Sequence, residues 1–199
     1  MPGPPKPSGA ASPRPQTRQQ YRQPQVSASP GSPTAQRGGL PAWPLGTFLH
    51  GRSGPPWWFL GCHGGAGATT LNSVITGGVD AGRYWPVPDA PAVANVVLVT
   101  RSHANGLRQA QAAAWQWASG ALPTVRLLGL AVIADAPGRR PKPLRDLLQL
   151  IAGGVPQVWD LPWVEELRLG DPPEQIQFPA AFSSMAADLE KTVTGGTHA

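Results

Sequence analysis

From residue 55 onward, continuous apolar runs alternate along the chain with segments whose apolar residues recur at helical spacing. Continuous apolar runs, rich in Val, Leu and Trp, have the length and composition of buried strands at residues 55–60, 93–100, 125–134 and 155–161. The segments between these runs repeat their apolar residues at helical spacing. Strands that alternate with helices favour a parallel sheet covered on both faces, so the pattern predicts an α/β fold with about four to five mostly parallel strands.

Helical spacing predicts five helices between and after the strands. Asn105 offers an N-cap to the first long helix and Gly120 ends it, while Pro162 has the position of a proline in the first turn of a later helix. The predicted segments are residues 71–76, 106–119, 144–152, 163–169 and 179–193. The apolar stripes of the longer helices are Leu107, Ala110, Ala114 and Trp117; Leu144, Leu147, Leu148 and Ile151; and Phe182, Met185, Leu189 and Val193.

Residues 1–40 differ in composition from the rest of the chain. They hold nine prolines and five basic residues and no acidic residue, whereas residues 41–199 hold 11 basic and 11 acidic residues. Such a segment buries too little apolar surface to offset the entropy of ordering. We therefore expect a disordered basic Pro/Arg/Gln-rich tail (1–40), one domain (41–195) and a flexible end (196–199). A solvated tail and an arm that touches nucleic acid, anionic lipid or a partner both stay open.

Several protein classes are excluded by composition. The longest apolar run is residues 127–134, far shorter than the roughly 20 residues that span a bilayer. No apolar signal segment is visible near the N-terminus. The single cysteine, Cys62, excludes an internal disulfide framework and a cysteine-based zinc cluster. We expect a cytoplasmic protein that is not transmembrane. The excess of Arg over Lys and the abundant Ala, Gly and Pro resemble the usage of actinobacteria.

The candidate chemistry lies in a glycine-rich segment between the first predicted strand and a helix. Residues 61–71 read Gly-Cys-His-Gly-Gly-Ala-Gly-Ala-Thr-Thr-Leu. Glycines let backbone N–H groups surround a phosphate, and a threonine hydroxyl binds Mg²⁺ in such loops. The lysine that reaches the β- and γ-phosphates is absent, because Ala68 stands between Gly67 and Thr69. The candidate nucleotide-binding residues are His63, Gly64, Gly65, Ala66, Gly67, Ala68, Thr69 and Thr70, with Thr69 as the candidate Mg²⁺ ligand.

This loop resembles that of the ParA/MinD group of P-loop NTPases, the deviant Walker A branch. The loop of that group has a signature lysine, two glycines, a variable residue, Gly, Lys, Thr and Thr. Residues 63–70 follow the same order with His63 at the signature lysine and Ala68 at the Walker lysine. The resemblance covers about residues 55–193, and it implies a reduced Rossmann-like P-loop fold. It also implies that Thr69 binds Mg²⁺ and that Thr70 lies beside the α-phosphate of ATP or GTP.

Two departures from the group predict that its hydrolytic machinery is lost. Both lysines are missing, and only 22 residues separate Thr70 from Val93, where active members carry further strands and aspartates. Asp80 falls in this interval within Gly-Gly-Val-Asp-Ala-Gly, a context that predicts no strand. Each lost charge-assisted hydrogen bond is worth about 1.5–3 kcal/mol, and about 1.36 kcal/mol is tenfold in rate. We therefore expect no catalytic residue and no recognisable Walker B aspartate.

Four other features each allow two interpretations. His63 is either a neutral imidazole or a substitute for the charge of a lysine, which requires a raised pKa. Cys62 is either a core residue or a reactive thiol beside a helix N-terminus. Asp135 is either a turn residue or a contact to a base or to Mg²⁺. The basic residues at 139–142 are either a solvated loop or a substitute for the missing lysine.

The function that these features favour is a catalytically inactive, ParA/MinD-like pseudo-ATPase that acts as a binding or scaffold module. Association with the group extends this to an actinobacterial mobile element, plasmid or type IV-like secretion (conjugation) system. One alternative is a weak or unorthodox ATP- or GTP-hydrolysing protein. Another is a nucleotide-independent interaction module with a nucleic-acid-touching tail. ATP or GTP with Mg²⁺ and no cofactor at all stay equally open.

The expected partners follow from the same resemblance. They are another protein, such as a secretion or partition component, and a second copy of the chain in a homodimer. Contact with nucleic acid or a membrane is expected only through the basic tail. Trp115 and Trp163 are candidates for a partner surface, because aromatic side chains are enriched in interface cores.

Overall fold

The computed structural model describes residues 39–45 and 54–195. The predicted tail, apart from Gly39 and Leu40, and the predicted flexible end lie outside the described residues. No helix in the described ranges is long and apolar enough to cross a membrane.

The described residues form a five-stranded parallel sheet and a separate two-stranded parallel sheet. The larger sheet has the order β3-β2-β5-β6-β7 and the smaller one pairs β1 with β4. The strands are β1 (Ala42–Pro44), β2 (Trp57–Gly61), β3 (Gly78–Asp80), β4 (Trp85–Val87), β5 (Ala94–Arg101), β6 (Val125–Ile133) and β7 (Val158–Leu161). The predicted α/β fold is thereby confirmed, while β1, β3 and β4 are additions that the apolar pattern did not indicate.

Helices cover both faces of the larger sheet. They are α1 (Ala68–Val74), α2 (Ala104–Ala118), α3 (Lys142–Ala152), α4 (Glu165–Leu169) and α5 (Ala180–Gly195), with a 3-10 turn at Pro173–Gln175. Helices α2 and α3 pack on one face, and α1 and α5 pack on the other. Along β5, Val96 and Leu98 enter the first of these cores, and Val97 and Val99 enter the second. This two-sided burial explains why β5 reads as a continuous apolar run.

Several element ends differ from the predicted ones. The N-cap of α2 is His103 and not Asn105, because His103 Nδ1 accepts a hydrogen bond from the Gly106 N–H at 2.9 Å. Helix α1 begins at Ala68 and includes the two threonines of the loop. Pro162 does not begin α4, whose N-cap is Val164. Strand β7 begins at Val158, three residues later than the predicted run.

A buried glutamine joins the segment before β1 to the body of the domain. Gln116 of α2 accepts hydrogen bonds on Oε1 from the Leu40 N–H at 2.8 Å and from Trp85 Nε1 at 2.9 Å. Its Nε2 donates to the Leu40 carbonyl at 2.8 Å. Both polar atoms of the side-chain amide therefore have partners, which explains how a polar residue lies in this core.

Candidate functional site

The glycine loop, defined here as residues 63–70, lies at the carboxyl end of β2. Strand β2 has β3 and β5 as neighbours, so the ends of three parallel strands meet at this loop. Gly65 and Gly67 have φ angles of 74° and 97°, which favour glycine because side chains are strained there. A Cβ on Gly67 would also lie 2.5 Å from Ile133 Cδ1. The structure therefore brings the predicted residues 63–70 together in one tight strand-to-helix turn.

His63 is neutral in this arrangement. Its Nε2 accepts a hydrogen bond from the Arg101 N–H at 3.1 Å, and its Nδ1 lies 2.9 Å from the Gly64 carbonyl, to which it donates. Burial lowers the pKa of His63, and the nearby His103 and two arginines lower it further against the opposing effect of the Gly64 hydrogen bond. Because the pKa of His63 is lowered and not raised, this side chain does not meet the condition for replacing the charge of a lysine.

Asp80 is the main correction to the sequence prediction. It is the last residue of β3, which pairs in parallel with β2, so its carboxylate lies beside the glycine loop. Thr69 Oγ1 donates a hydrogen bond to Asp80 Oδ2 at 2.6 Å, and the Gly82 N–H donates to Oδ1 at 2.7 Å. An aspartate at a strand end therefore does meet the loop hydroxyl. A strand of three residues carries too little periodicity for this to be read from the sequence.

Ala68 supplies no polar group in place of the missing lysine. Its side chain is buried in the core beneath α1. Nor does the basic segment 139–142 reach the loop. Arg140 donates to both carboxylate oxygens of Asp160, at 3.0 and 2.6 Å, and Lys142 pairs with Asp146 at 2.6 Å. Arg140 and Lys142 therefore have carboxylate partners of their own and do not substitute for the missing lysine.

Two adjoining cavities open at the carboxyl edge of the sheet. The first cavity, of about 400 Å³, lies against Gly64, Gly65 and Gly67 and extends to α4 and α5. The second cavity, of about 870 Å³, lies between β7 and the segment that joins β6 to α3. Asp135 and Trp163 line both cavities. Parallel sheets bind their ligands at this edge, so both cavities have the expected location.

Arg101, Asp135 and Trp163 form a cluster at the boundary of the two cavities. Arg101 Nε donates to Asp135 Oδ1 at 3.3 Å, and the Arg101 guanidinium lies 5.9 Å from the centroid of the Trp163 ring. The Asp135 N–H donates to Ser102 Oγ at 3.0 Å. Asp135 therefore belongs to the cavity rim, and its carboxylate has an arginine partner that sequence reasoning did not find.

Cys62 is a core residue. Its side chain is completely buried, and this burial raises the pKa of the thiol to about 12. A thiol with this pKa is protonated at neutral pH and is a poor nucleophile. The interpretation of Cys62 as a core residue is confirmed.

The donor set beside the loop fits Mg²⁺ only together with a phosphate ligand. Mg²⁺ is commonly held by one or two carboxylates, with phosphate oxygens and waters completing its octahedron. Thr69 and Asp80 supply a hydroxyl and a carboxylate next to the loop amides, and both line a small cavity of about 160 Å³. Within residues 39–45 and 54–195, no group of three or more His, Cys, Asp or Glu side chains could hold a metal ion.

Comparison with known proteins gives one match. The model of a family described as "Family of unknown function (DUF6668)" matches residues 56–178. That range begins just before β2 and ends before α5, so it includes the glycine loop, Asp80, Arg101, Asp135 and Trp163. Neither the curated proteins nor the solved structures contain a match to the chain.

Proposed function

The chain belongs to the DUF6668 family of unknown function, and we propose that it is a pseudo-ATPase that binds a nucleotide with Mg²⁺ and does not hydrolyse it. In this proposal the protein is a ParA/MinD-like binding or scaffold module. The observation that carries it is the 2.6 Å hydrogen bond from Thr69 Oγ1 to Asp80 Oδ2 at the glycine loop. A glycine turn alone would not require a paired hydroxyl and carboxylate at its exposed side.

The pair has the chemistry that a Mg²⁺-phosphate ligand needs. Because Thr69 donates its proton to Asp80, the lone pairs of its oxygen remain available to a cation. Asp80 adds a negative charge close to that cation. When bound, Mg²⁺ would neutralise phosphate charge. Residues Gly64, Gly65 and Gly67 line the first cavity, where their backbone can approach a phosphate without side-chain interference.

The same geometry argues against hydrolysis. Phosphoryl transfer depends on positioned positive charge at the transferred group. The position of the Walker lysine holds a buried alanine, and the position of the signature lysine holds a histidine whose pKa is lowered. Two missing charges, at about 1.5–3 kcal/mol for each charge-assisted contact, correspond to a rate lower by several orders of magnitude at about 1.36 kcal/mol per factor of ten.

Calorimetric titration of the purified chain with ADP, with and without Mg²⁺, tests the proposal. We expect Mg²⁺ to strengthen ADP binding, and Thr69→Ala and Asp80→Asn to remove most of that Mg²⁺ effect. Thr76→Ala is the matched control, because Thr76 is an exposed threonine beyond α1. Phosphate release from ATP should stay at background in all four proteins.

Two outcomes would favour the alternatives. Mg²⁺-dependent phosphate release that Thr69→Ala abolishes would indicate a working, unorthodox hydrolase. An absence of ADP or GDP binding at millimolar concentration would indicate a nucleotide-independent interaction module. Light scattering with and without MgADP then tests whether two copies associate in response to the nucleotide, as the ParA/MinD resemblance implies.

A further inference from the structure

The first cavity is lined by arginine side chains, although neither lysine position of the glycine loop, now His63 and Ala68, supplies a positive charge. Arg101 and Arg168 line this cavity, whereas Arg139 and Arg140 line only the second. A polyphosphate in the first cavity needs a cation beyond Mg²⁺, because phosphate oxygens form their strongest contacts with charged donors. Within the first cavity, Arg101 and Arg168 are thus the two candidates for this cation, since Arg83 lines only the small cavity that Thr69 and Asp80 line.

The backbone of Arg101 is fixed directly against the glycine loop. Arg101 ends β5, the strand beside β2, and its N–H donates to His63 Nε2 at 3.1 Å. On its other side, a Cβ added to Gly106 of α2 would lie 2.5 Å from the Arg101 carbonyl oxygen. The main chain of Arg101 is thus confined between the loop and α2, which fixes the position of its Cα atom relative to the loop.

The side chain of Arg101 is held only weakly. Its one hydrogen bond in the described ranges runs from Nε to Asp135 Oδ1 at 3.3 Å, and the two terminal nitrogens have no hydrogen-bond partner there. The side chains of Arg101 and Asp135 are 26% and 43% exposed. Exposed single contacts of this kind contribute little to stability, whereas a guanidinium matches a phosphate with two parallel hydrogen bonds.

We propose that Arg101 contacts the terminal phosphate of a nucleoside diphosphate or triphosphate in place of the missing lysine, and that Asp135 competes with this phosphate for Arg101. The proposal rests on the proposed function, since it names a further binding residue of the same site. Ligand binding then exchanges the carboxylate partner of Arg101 for a phosphate. Arg168 is the weaker candidate, because it is exposed on the short helix α4 and has no fixed contact to the loop.

Titrations of the full chain with MgADP and with magnesium pyrophosphate test the proposal. Arg101→Ala should weaken both ligands by about tenfold or more, the worth of a lost charge-assisted contact. Arg101→Lys should recover part of the loss, because it restores the charge but not the bidentate geometry. Asp135→Asn should tighten binding by up to about fivefold, since it removes the competing charge of an exposed pair.

Two further variants serve as comparisons. Arg126→Ala removes an exposed arginine near the start of β6, at the opposite edge of the sheet from the cavities, and should bind both ligands like the wild-type chain. Arg168→Ala should weaken binding less than Arg101→Ala does. Circular dichroism melts of all variants establish that each is folded, and Arg101→Gln replaces Arg101→Ala if the latter does not fold.

The outcomes separate this proposal from the proposed function. If the wild-type chain binds MgADP and Arg101→Ala binds it equally well, the role of Arg101 is overturned while nucleotide binding stands. If Asp135→Asn weakens binding, Asp135 positions Arg101 and does not compete, which overturns the exchange. If the wild-type chain binds neither ligand, both proposals are overturned together.

Discussion

The two cavities at the carboxyl edge of the sheet differ in how one arginine of each, Arg101 or Arg140, is paired. In the second cavity, Arg140 binds both oxygens of Asp160, and Arg145 donates to the Arg140 carbonyl at 2.8 Å. In the first cavity, Arg101 has one long contact to Asp135. The larger cavity, which also has more basic residues, therefore has its central guanidinium already neutralised. We therefore expect an anion to bind more readily at Arg101, whose existing contact is the weaker one, than at Arg140.

Packing also differs between Gly106, which lies behind the first cavity, and Gly138, which borders the second. Behind the first cavity, α2 closely approaches the end of β5 at Gly106, where an added Cβ would lie within 3 Å of three neighbouring atoms. The second cavity is bordered by Gly138, where a Cβ would meet nothing within 4 Å. Close packing at Gly106 holds the backbone of Arg101 and His63 in place, as a binding residue requires.

The largest expected effect is that of Gly106→Ala compared with Gly138→Ala. The new methyl group at Gly106 would lie 2.5 Å from the Arg101 carbonyl oxygen and 2.8 Å from His63 Nε2, so we expect a loss of about 3 kcal/mol in the free energy of unfolding. At Gly138 only the positive φ of 83° opposes the substitution, and we expect a loss of about 1 kcal/mol. Urea denaturation measures both losses. Equal losses would contradict the difference in packing.

The next effect concerns the paired arginine of the second cavity. Arg140→Ala should lower the free energy of unfolding by about 1–2 kcal/mol, because it removes a bidentate contact of a largely buried guanidinium. MgADP binding should not change. A double-mutant cycle with Asp160→Asn isolates the pair and should give a coupling of about 1 kcal/mol. Weaker MgADP binding in Arg140→Ala would extend the ligand site into the second cavity.

A smaller effect is the dependence of stability on pH through His63. Its pKa is lower in the folded chain than the ordinary 6.5 of the unfolded chain, so at intermediate pH the unfolded state binds the proton first. The contribution of His63 to the free energy of unfolding should therefore be fully present above about pH 6.5. It should decrease as the pH falls from there to the pKa of the folded chain. His63→Gln keeps an acceptor for the Arg101 N–H and does not titrate. Melting curves of this variant should vary less between pH 7 and pH 5 than those of the wild-type chain.

The smallest expected effect is that of Lys142→Ala at the start of α3. The pair of Lys142 with Asp146 is an i,i+4 contact between side chains that are 75% and 55% exposed. Lysine stands at the positive end of the helix dipole, so the attraction to Asp146 is partly cancelled. We expect a change of less than about 0.5 kcal/mol in the free energy of unfolding. A larger loss in the free energy of unfolding would contradict this expectation, because it would mean that α3 depends on the exposed ammonium group of Lys142.

The sequence by itself determined the α/β class and four of the five strands of the larger sheet. The apolar runs that became β2, β5 and β6 are buried on both faces, and such strands are visible as continuous hydrophobic segments. The edge strand β7 alternates buried residues with the exposed Asp160. The glycine loop was also readable, since its φ angles at Gly65 and Gly67 need residues without a side chain. These features depend on neighbours along the chain, where residue type and local conformation are directly coupled.

Only the tertiary structure decided which side chains the loop meets. Asp80 lies beside Thr69 because the three-residue strand β3 pairs with β2, and a strand this short has no periodicity to detect. Residues 139–142 were one candidate for a lysine substitute, but strand order brings the end of β5, with Arg101, next to the loop. Partners of this kind are fixed by the pairing of distant strands, so composition and spacing along the chain do not encode them.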